Sequence, residues 1–187
     1  YELLTMANRT TEDVFSLLDN LLKWTKSQIG NLNVVYQDVD AVEVVDSVID
    51  VFNMVAGLKK ITIREEKPEK LPVCTDIDML KTIIRNLLSN AIKFSNENSE
   101  VLVKMEEQGD TVVVSVKDSG CGIDEEGQKK LLHTDTHFST FGTNNEEGSG
   151  LGLLLCQDFA VKSGGKLWFT SKKGEGSTFY FSIPLKK

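Results

Sequence analysis

Cysteine and proline are both scarce in this chain, with three of each among 187 residues. Cys74, Cys121 and Cys156 are odd in number, far apart and never in CxxC spacing. That excludes a disulfide scaffold or a cysteine zinc cluster and points to a reducing, cytoplasmic setting. The only two histidines are His133 and His137. No third ligand accompanies them at fixed spacing, since Asp135 points elsewhere on a helix, so a zinc site is not expected. Long apolar runs are missing too. The longest stretch free of Asp, Glu, Lys and Arg is Ser27–Gln37, 11 residues, whereas a bilayer span needs roughly 18 or more. No membrane crossing or direct membrane contact is expected. An excess of positive charge is also lacking. Lys+Arg 21 against Asp+Glu 28 gives a net charge of −7, which argues against a nucleic-acid or anionic-lipid partner. No signal peptide, repeat or low-complexity segment appears, and the chain opens at Tyr1 rather than Met, so it is expected to be part of a longer protein. With 40% hydrophobic and 26% charged residues, it is long enough to bury a real core.

Periodicity then sets the elements. Thr10 to Gln28 reads as one helix, with Val14, Leu17, Leu21, Trp24 and Gln28 in the 3-4-3-4 seam of a helix that packs on another helix; Gly30-Asn31 stops it. A second reading folds this helix back on its own domain. Asn33–Asp38 predicts a short strand. Val42, Val45, Ile49, Phe52 and Val55 recur with helical period up to Gly57. Lys60–Glu66 alternates as a strand, and Pro68 and Pro72 mark a loop. Asp76 is a plausible N-cap for a helix to about Phe94, with Ile77, Leu80, Ile84, Leu87 and Ala91 as its buried stripe. Glu100–Glu106 and Thr111–Lys117 predict two strands joined at Gln108-Gly109-Asp110. After a polar region with one short helix (Glu125 to Leu132), Leu151–Lys162 predicts a helix ended by Gly164-Gly165. Lys166–Ser171 and Ser177–Ile183 predict a final hairpin. The pattern implies an α/β layering, helices on one face of a mixed, mostly antiparallel sheet. Twelve of the 14 glycines follow residue 108, so the second half is where backbone turns sharply or approaches something closely.

Three features carry chemistry. Asn86, Asn90 and Lys93 share one helix face, offset from the apolar stripe. Their plainer reading is a solvated face. Asp118-Ser-Gly120-Cys-Gly122 follows a predicted strand directly, where a carboxylate and two glycines let backbone approach a ligand; the plainer reading is an Asp-initiated turn. Gly148-Ser149-Gly150-Leu151-Gly152 opens a helix, whose exposed N–H groups and dipole favour an anion, although such a glycine run alone is weak.

In combination the order is specific: NLLSNAIKFS (86–95), DSGCGI (118–123), FSTFGT (138–143), GSGLGL (148–153) and the closing GEGSTFYFSIP (174–184). From Asn33 to Lys187 the chain resembles the ATP-binding domain of sensor histidine kinases, within the superfamily of type II topoisomerases, heat-shock chaperone ATPases and mismatch-repair ATPases. The motif style is nearest to hybrid two-component sensors. The resemblance implies an α+β fold, a two-layer α/β sandwich of Bergerat type with three helices on one face of the sheet, preceded by one long helix. It implies two parts: residues 1–30 as the second helix of a dimerisation and phosphoacceptor domain, and 31–187 as the ATP-binding catalytic domain.

The resemblance also assigns roles. Asp118 accepts a hydrogen bond from the adenine amino group, a charge-assisted contact worth about 1.5–3 kcal/mol that selects ATP over GTP. Gly120, Gly122 and Ile123 form the loop that passes the nucleotide, and Phe94 lies against adenine. Asn90 offers an oxygen to Mg²⁺, which takes most other ligands from phosphates and water. Lys93 touches phosphate as a point charge, and Asn86 lines the γ-phosphate end and positions the acceptor. Backbone amides of Ser149, Gly150, Leu151 and Gly152 hold the phosphates, and Phe138 contacts the acceptor helices. The reaction implied is transfer of the γ-phosphoryl of Mg-ATP to a histidine. The partners implied are an upstream dimerisation helix with its acceptor histidine, a response regulator or receiver domain, and a second copy in the full-length homodimer. The setting implied is the cytoplasmic portion of a membrane-bound sensor.

The sequence departs from the family in two ways. Neither histidine lies in an acceptor box on a preceding helix, so the chain alone is not expected to retain phosphohistidine. No Lys or Arg falls between Lys130 and Lys162, where relatives place a basic residue toward phosphate; the Ser/Thr-rich run Thr134–Thr143 supplies hydroxyls instead and is expected to be the least ordered segment. The alternative functions are a non-catalytic ATP-binding module and a hydrolytic ATPase of the same superfamily. The second is disfavoured because no Glu lies between Asp78 and Lys93 to activate water.

Overall fold

Alternating apolar residues build a five-stranded sheet, and the helical stripes cover one side of it. The computed structural model describes residues 18, 19, 21–23, 25, 33–131, 142, 143 and 150–185. Its elements run β1 (Gln37–Asp40), α1 (Ala41–Leu58), β2 (Thr62–Glu66), β3 (Pro72–Thr75), α2 (Ile77–Phe94), β4 (Glu100–Gln108), β5 (Thr111–Lys117), α3 (Glu125–Lys130), α4 (Leu151–Lys162), β6 (Leu167–Lys172) and β7 (Gly176–Pro184). The strand order is β2-β4-β5-β7-β6, with β1 and β3 in a separate two-stranded sheet. Only β2–β4 is parallel within the large sheet; its other pairs are antiparallel. A parallel pair needs a long crossover, and here the crossover contains α2, the helix at the centre of the molecule.

Cross-strand registers line up the core. Val103, Val116, Phe179 and Phe169 form one row across four strands, and Met105, Val114, Phe181 and Leu167 form the next. Both rows face α2, which packs between α1 and α4. The apolar stripe expected for α2 is wider than one face: Met79, Ile83, Leu88 and Ile92 are buried along with Leu80, Ile84, Leu87 and Ala91. Each such side chain contributes about 1.5–3 kcal/mol by leaving water. The width follows from the helix having neighbours on three sides.

The boundaries of α2 and α4 agree with the sequence reading. Asp76 caps α2, its Oδ1 accepting from Asp78 N and Met79 N at 2.9 and 3.0 Å, while Oδ2 accepts from Val35 N at 2.9 Å. Two expectations are corrected. The first strand is Gln37–Asp40 rather than Asn33–Asp38, and Pro72 opens a strand, β3, instead of sitting in a loop. Proline is tolerated at the first residue of an edge strand because no ladder N–H is required there. Asp40, opposite Pro72, then serves as N-cap of α1 and accepts from both Val42 N and Leu71 N at 3.0 Å.

The expected helix Thr10–Gln28 lies largely outside the described residues. Those of its residues that are described, 18, 19, 21–23 and 25, are helical. Lys23 pairs with Asp19 at 2.8 Å and reaches Thr82 Oγ1 at 3.4 Å. No helix among the described residues is long and apolar enough to cross a membrane.

Candidate functional site

The three chemical features of the sequence meet on α2. At its C-terminal end the loop after β5 folds against the helix. A Cβ on Gly120 would lie 2.1 Å from Phe94 O, so only glycine lets the loop come this close. Cys121 N donates to Phe94 O at 3.4 Å. Asp118, 4% exposed, uses Oδ1 to accept from Gly120 N at 2.9 Å and Ser177 N at 3.2 Å. Its Oδ2 accepts no hydrogen bond from another described residue. Burial pushes the Asp118 carboxyl above the usual carboxylate range, and the two amide hydrogen bonds offset part of that. A buried acceptor oriented by backbone amides, with one oxygen left over, can take a hydrogen bond from a ligand amine.

The loop is braced from the far side by the β6–β7 hairpin. Gly174 N donates to Cys121 O at 2.7 Å, and Ile123 N donates to Ser171 Oγ at 2.8 Å. Gly122, at φ +62, faces the carbonyl of Lys172, where a Cβ would sit 2.0 Å away. Gly122 and Ile123 therefore touch the hairpin, and the glycine requirement at both Gly120 and Gly122 comes from protein backbone. Ser177, which the sequence reading treated only as part of a closing strand, turns out to orient Asp118. Gly176 makes that approach possible: its φ is +100, and a Cβ there would meet Asp118 O at 2.2 Å.

About two turns toward the N-terminus of α2, Asn86 meets the other glycine motif. Its Nδ2 donates to Thr82 O at 2.9 Å, and its Oδ1 faces Gly152, where a Cβ would lie 2.6 Å away. The absence of a side chain at Gly152 lets the first turn of α4 abut Asn86. Gly150 is the N-cap of α4 at φ +69 and brings no side-chain cap to the first-turn amides. Between these contacts, Asn90 is half-buried and its side chain makes no hydrogen bond to another described residue. Lys93 Nζ lies 4.9 Å from the centroid of the Phe94 ring. Phe138, Ser149, His133 and His137 lie outside the described residues, as does most of Thr134–Thr143.

The structure thus brings Asp118, Gly120 and Phe94 together at one end of the α2 face and Asn86 and Gly152 at the other, with Asn90 and Lys93 on the helix between. A separate cavity of ≈ 410 Å³ opens at the opposite, N-terminal end of α2, lined by Asn33, Val35, Asp76, Thr82 and Phe159 among others. None of the motif residues lines it.

Residues 75–187 match the family model described as histidine kinase-, DNA gyrase B-, and HSP90-like ATPase. The chain belongs to this family. Among its relatives is the adaptive-response sensory kinase SasA of Rippkaea orientalis, 30% identical over 171 residues that cover 90% of this chain and 43% of that protein. The chain spans less than half the length of such curated relatives. The catalytic domain of histidine kinase ThkA, solved nucleotide-free, superposes with a TM-score of 0.70 at 30% identity, covering 81% of this chain and 96% of that one. ThkA solved with the response regulator TrrA gives 0.78 at 24% identity over all of this chain and 51% of that one. Full-length ShkA, solved with AMPPNP, gives 0.80 at 22% identity over all of this chain and 39% of that one. Within the ATPase family, then, the chain is a catalytic domain of the sensor-histidine-kinase kind, with the mixed, mostly antiparallel α/β fold expected from its sequence.

Proposed function

We propose that the chain binds Mg-ATP along the face of α2 and delivers the γ-phosphoryl to a histidine on a helix outside it. The observation that carries this reading is Asp118: a buried carboxylate with one oxygen fixed by Gly120 N and Ser177 N and the other directed to no described partner. That is the acceptor an adenine amino group requires, and a guanine carbonyl at the same place would be repelled. Phe94, beside it, supplies the apolar surface for the ring. Lys93 offers a point charge to phosphate, and Asn86 and the amides of Gly150, Leu151 and Gly152 line the phosphate end. Phe138 and Ser149 are assigned to the acceptor contact and the phosphates on the resemblance alone.

The residues fit magnesium as well. Among the described residues no cluster of three or more His, Cys, Asp or Glu could cage a metal ion, so the ion would take its ligands mainly from phosphates and water, with Asn90 Oδ1 as the protein's contribution. When bound, Mg²⁺ offsets charge on the triphosphate. The chain's own part is positioning: Asp118 fixes the purine, and Asn86 and Lys93 hold the phosphate tail in line.

Residues 1–30 are read as the second helix of a dimerisation domain and 31–187 as the catalytic domain of a cytoplasmic region that works as a homodimer. The ThkA–TrrA complex supports a response regulator or receiver domain as the downstream partner, and the ShkA complex supports a nucleotide ligand. Calorimetry of Mg-ATP binding tests the reading. Asn90→Ala is expected to abolish the tightening by Mg²⁺, and Asp118→Asn to lose the preference for ATP over GTP. If both variants bind Mg-ATP like the parent, the assignment fails.

A further inference from the structure

The last four carbonyls of a helix have no intrahelical partner. In α2 the last four are all taken, Ala91 O by the adjacent C-cap residue and the other three by distant parts of the chain. Ala91 O accepts from Ser95 N at 3.1 Å, and Phe94 O from Cys121 N at 3.4 Å. Ile92 O and Lys93 O accept from Lys59 Nζ at 3.0 and 2.8 Å. Lys93 O also receives Thr143 N at 3.2 Å. Lys59 is the C-cap residue of α1 and only 7% exposed. Its ammonium continues to Thr143 Oγ1 at 2.6 Å. That hydroxyl has a single proton, which Ser95 O accepts at 2.8 Å in preference to Lys93 O at 3.1 Å.

A cation is favoured at a helix C-terminus by the dipole and by the orphan carbonyls. A solvated lysine would satisfy both at little cost, yet this one is buried and splits its donors between α2 and Thr143, which lies between α3 and α4. The carbonyls it holds, those of Ile92 and Lys93, belong to the last turn of α2, the turn that carries Lys93 and Phe94, the pair assigned above to phosphate and adenine. We infer that Lys59 is a positioning residue of the nucleotide site: its ammonium clasps Thr143 to the end of α2 and so fixes the turn that presents Lys93 and Phe94. This inference rests on the nucleotide reading.

The test uses the 187-residue chain with Lys59→Met, which keeps the aliphatic stem, Thr143→Val, which keeps the shape of an exposed residue, and the double variant. Circular dichroism confirms that each is folded at the working temperature. Without nucleotide, amide exchange at Thr143 is expected to accelerate in Lys59→Met while amides in the middle of α1 and α4 keep their protection. With nucleotide, each single variant is expected to weaken Mg-ATP binding on the order of tenfold, the scale of one charge-assisted hydrogen bond. The double variant is expected to match the worse single within about twofold, because both changes open the same clasp. Unchanged exchange at Thr143, Mg-ATP affinity unchanged in the folded variants, or losses that multiply in the double variant would each overturn the positioning role. Absence of Mg-ATP binding by the parent removes the nucleotide reading and the role together; binding by the parent with unaffected variants removes the role alone.

Discussion

Asp118 shows how a single side chain is tuned by its surroundings. Burial raises its carboxyl pKa above the ordinary value, so the folded chain holds that proton more tightly than the unfolded one. Stability from this group is fully present below the unfolded pKa and is lost as pH rises through the raised folded pKa. At neutral pH the charged form is therefore buried at a cost. Asp118→Asn keeps an acceptor for Gly120 N and Ser177 N and removes the charge. The variant is expected to be at least as stable as the parent at neutral pH, and the parent is expected to gain on it as pH falls into the carboxylate range. Denaturant unfolding at the two pH values checks this. A buried charge that lowers stability at neutral pH is in keeping with the binding role proposed for Asp118. The place of Asp118 was legible in sequence, since a carboxylate before two glycines at a strand end is a local pattern. Its orientation was not, because Ser177 lies on another strand.

At the scale of elements, α2 is held at both ends by different means. Its N-terminus depends on Asp76, one carboxylate accepting three backbone amides. Asp76→Ala removes the cap and leaves Val35 N without its partner, with an expected loss of about 2 kcal/mol, measured by urea unfolding. Mg-ATP affinity should change little, since the cap is at the far end of the helix from Lys93 and Phe94. The cap was readable because it acts within the first turn. The C-terminal arrangement was not: Lys59 is 34 positions from Lys93, and Thr143 is 50. The strand beginning at Pro72 was hidden for a related reason, because proline reads as a loop until the position of its edge is known.

For the whole molecule, the decisive feature is that one helix is core over most of its circumference and carries the proposed binding wall on the rest. Phe181, with no exposed surface, pairs across the sheet with Val114 and Leu167 and packs in the core that contains α2. Phe181→Ala is expected to cost about 3–5 kcal/mol. It is expected to weaken the fold as one cooperative transition, followed by coincident far- and near-ultraviolet circular dichroism. Separate transitions for the sheet and for α2 would contradict the single-core arrangement. Because the polar side of α2 carries Asn86, Asn90 and Lys93 beside the exposed Arg85 and Ser89 while its opposite side is buried in the core, motion of that face is limited by the core itself.

The sequence by itself determined the kinds of elements, the start of α2, the glycine motifs and the family resemblance, because periodicity, capping and motif spacing act between near neighbours in the chain. Tertiary structure alone decided how the two hairpins foreseen in the sequence and the strand β2 are ordered in one sheet, why Gly122 must be glycine and where the carbonyls at the end of α2 find their donors. Those outcomes depend on backbone groups brought together across long separations, and nothing in local residue order encodes which distant donor will fill a given orphan acceptor.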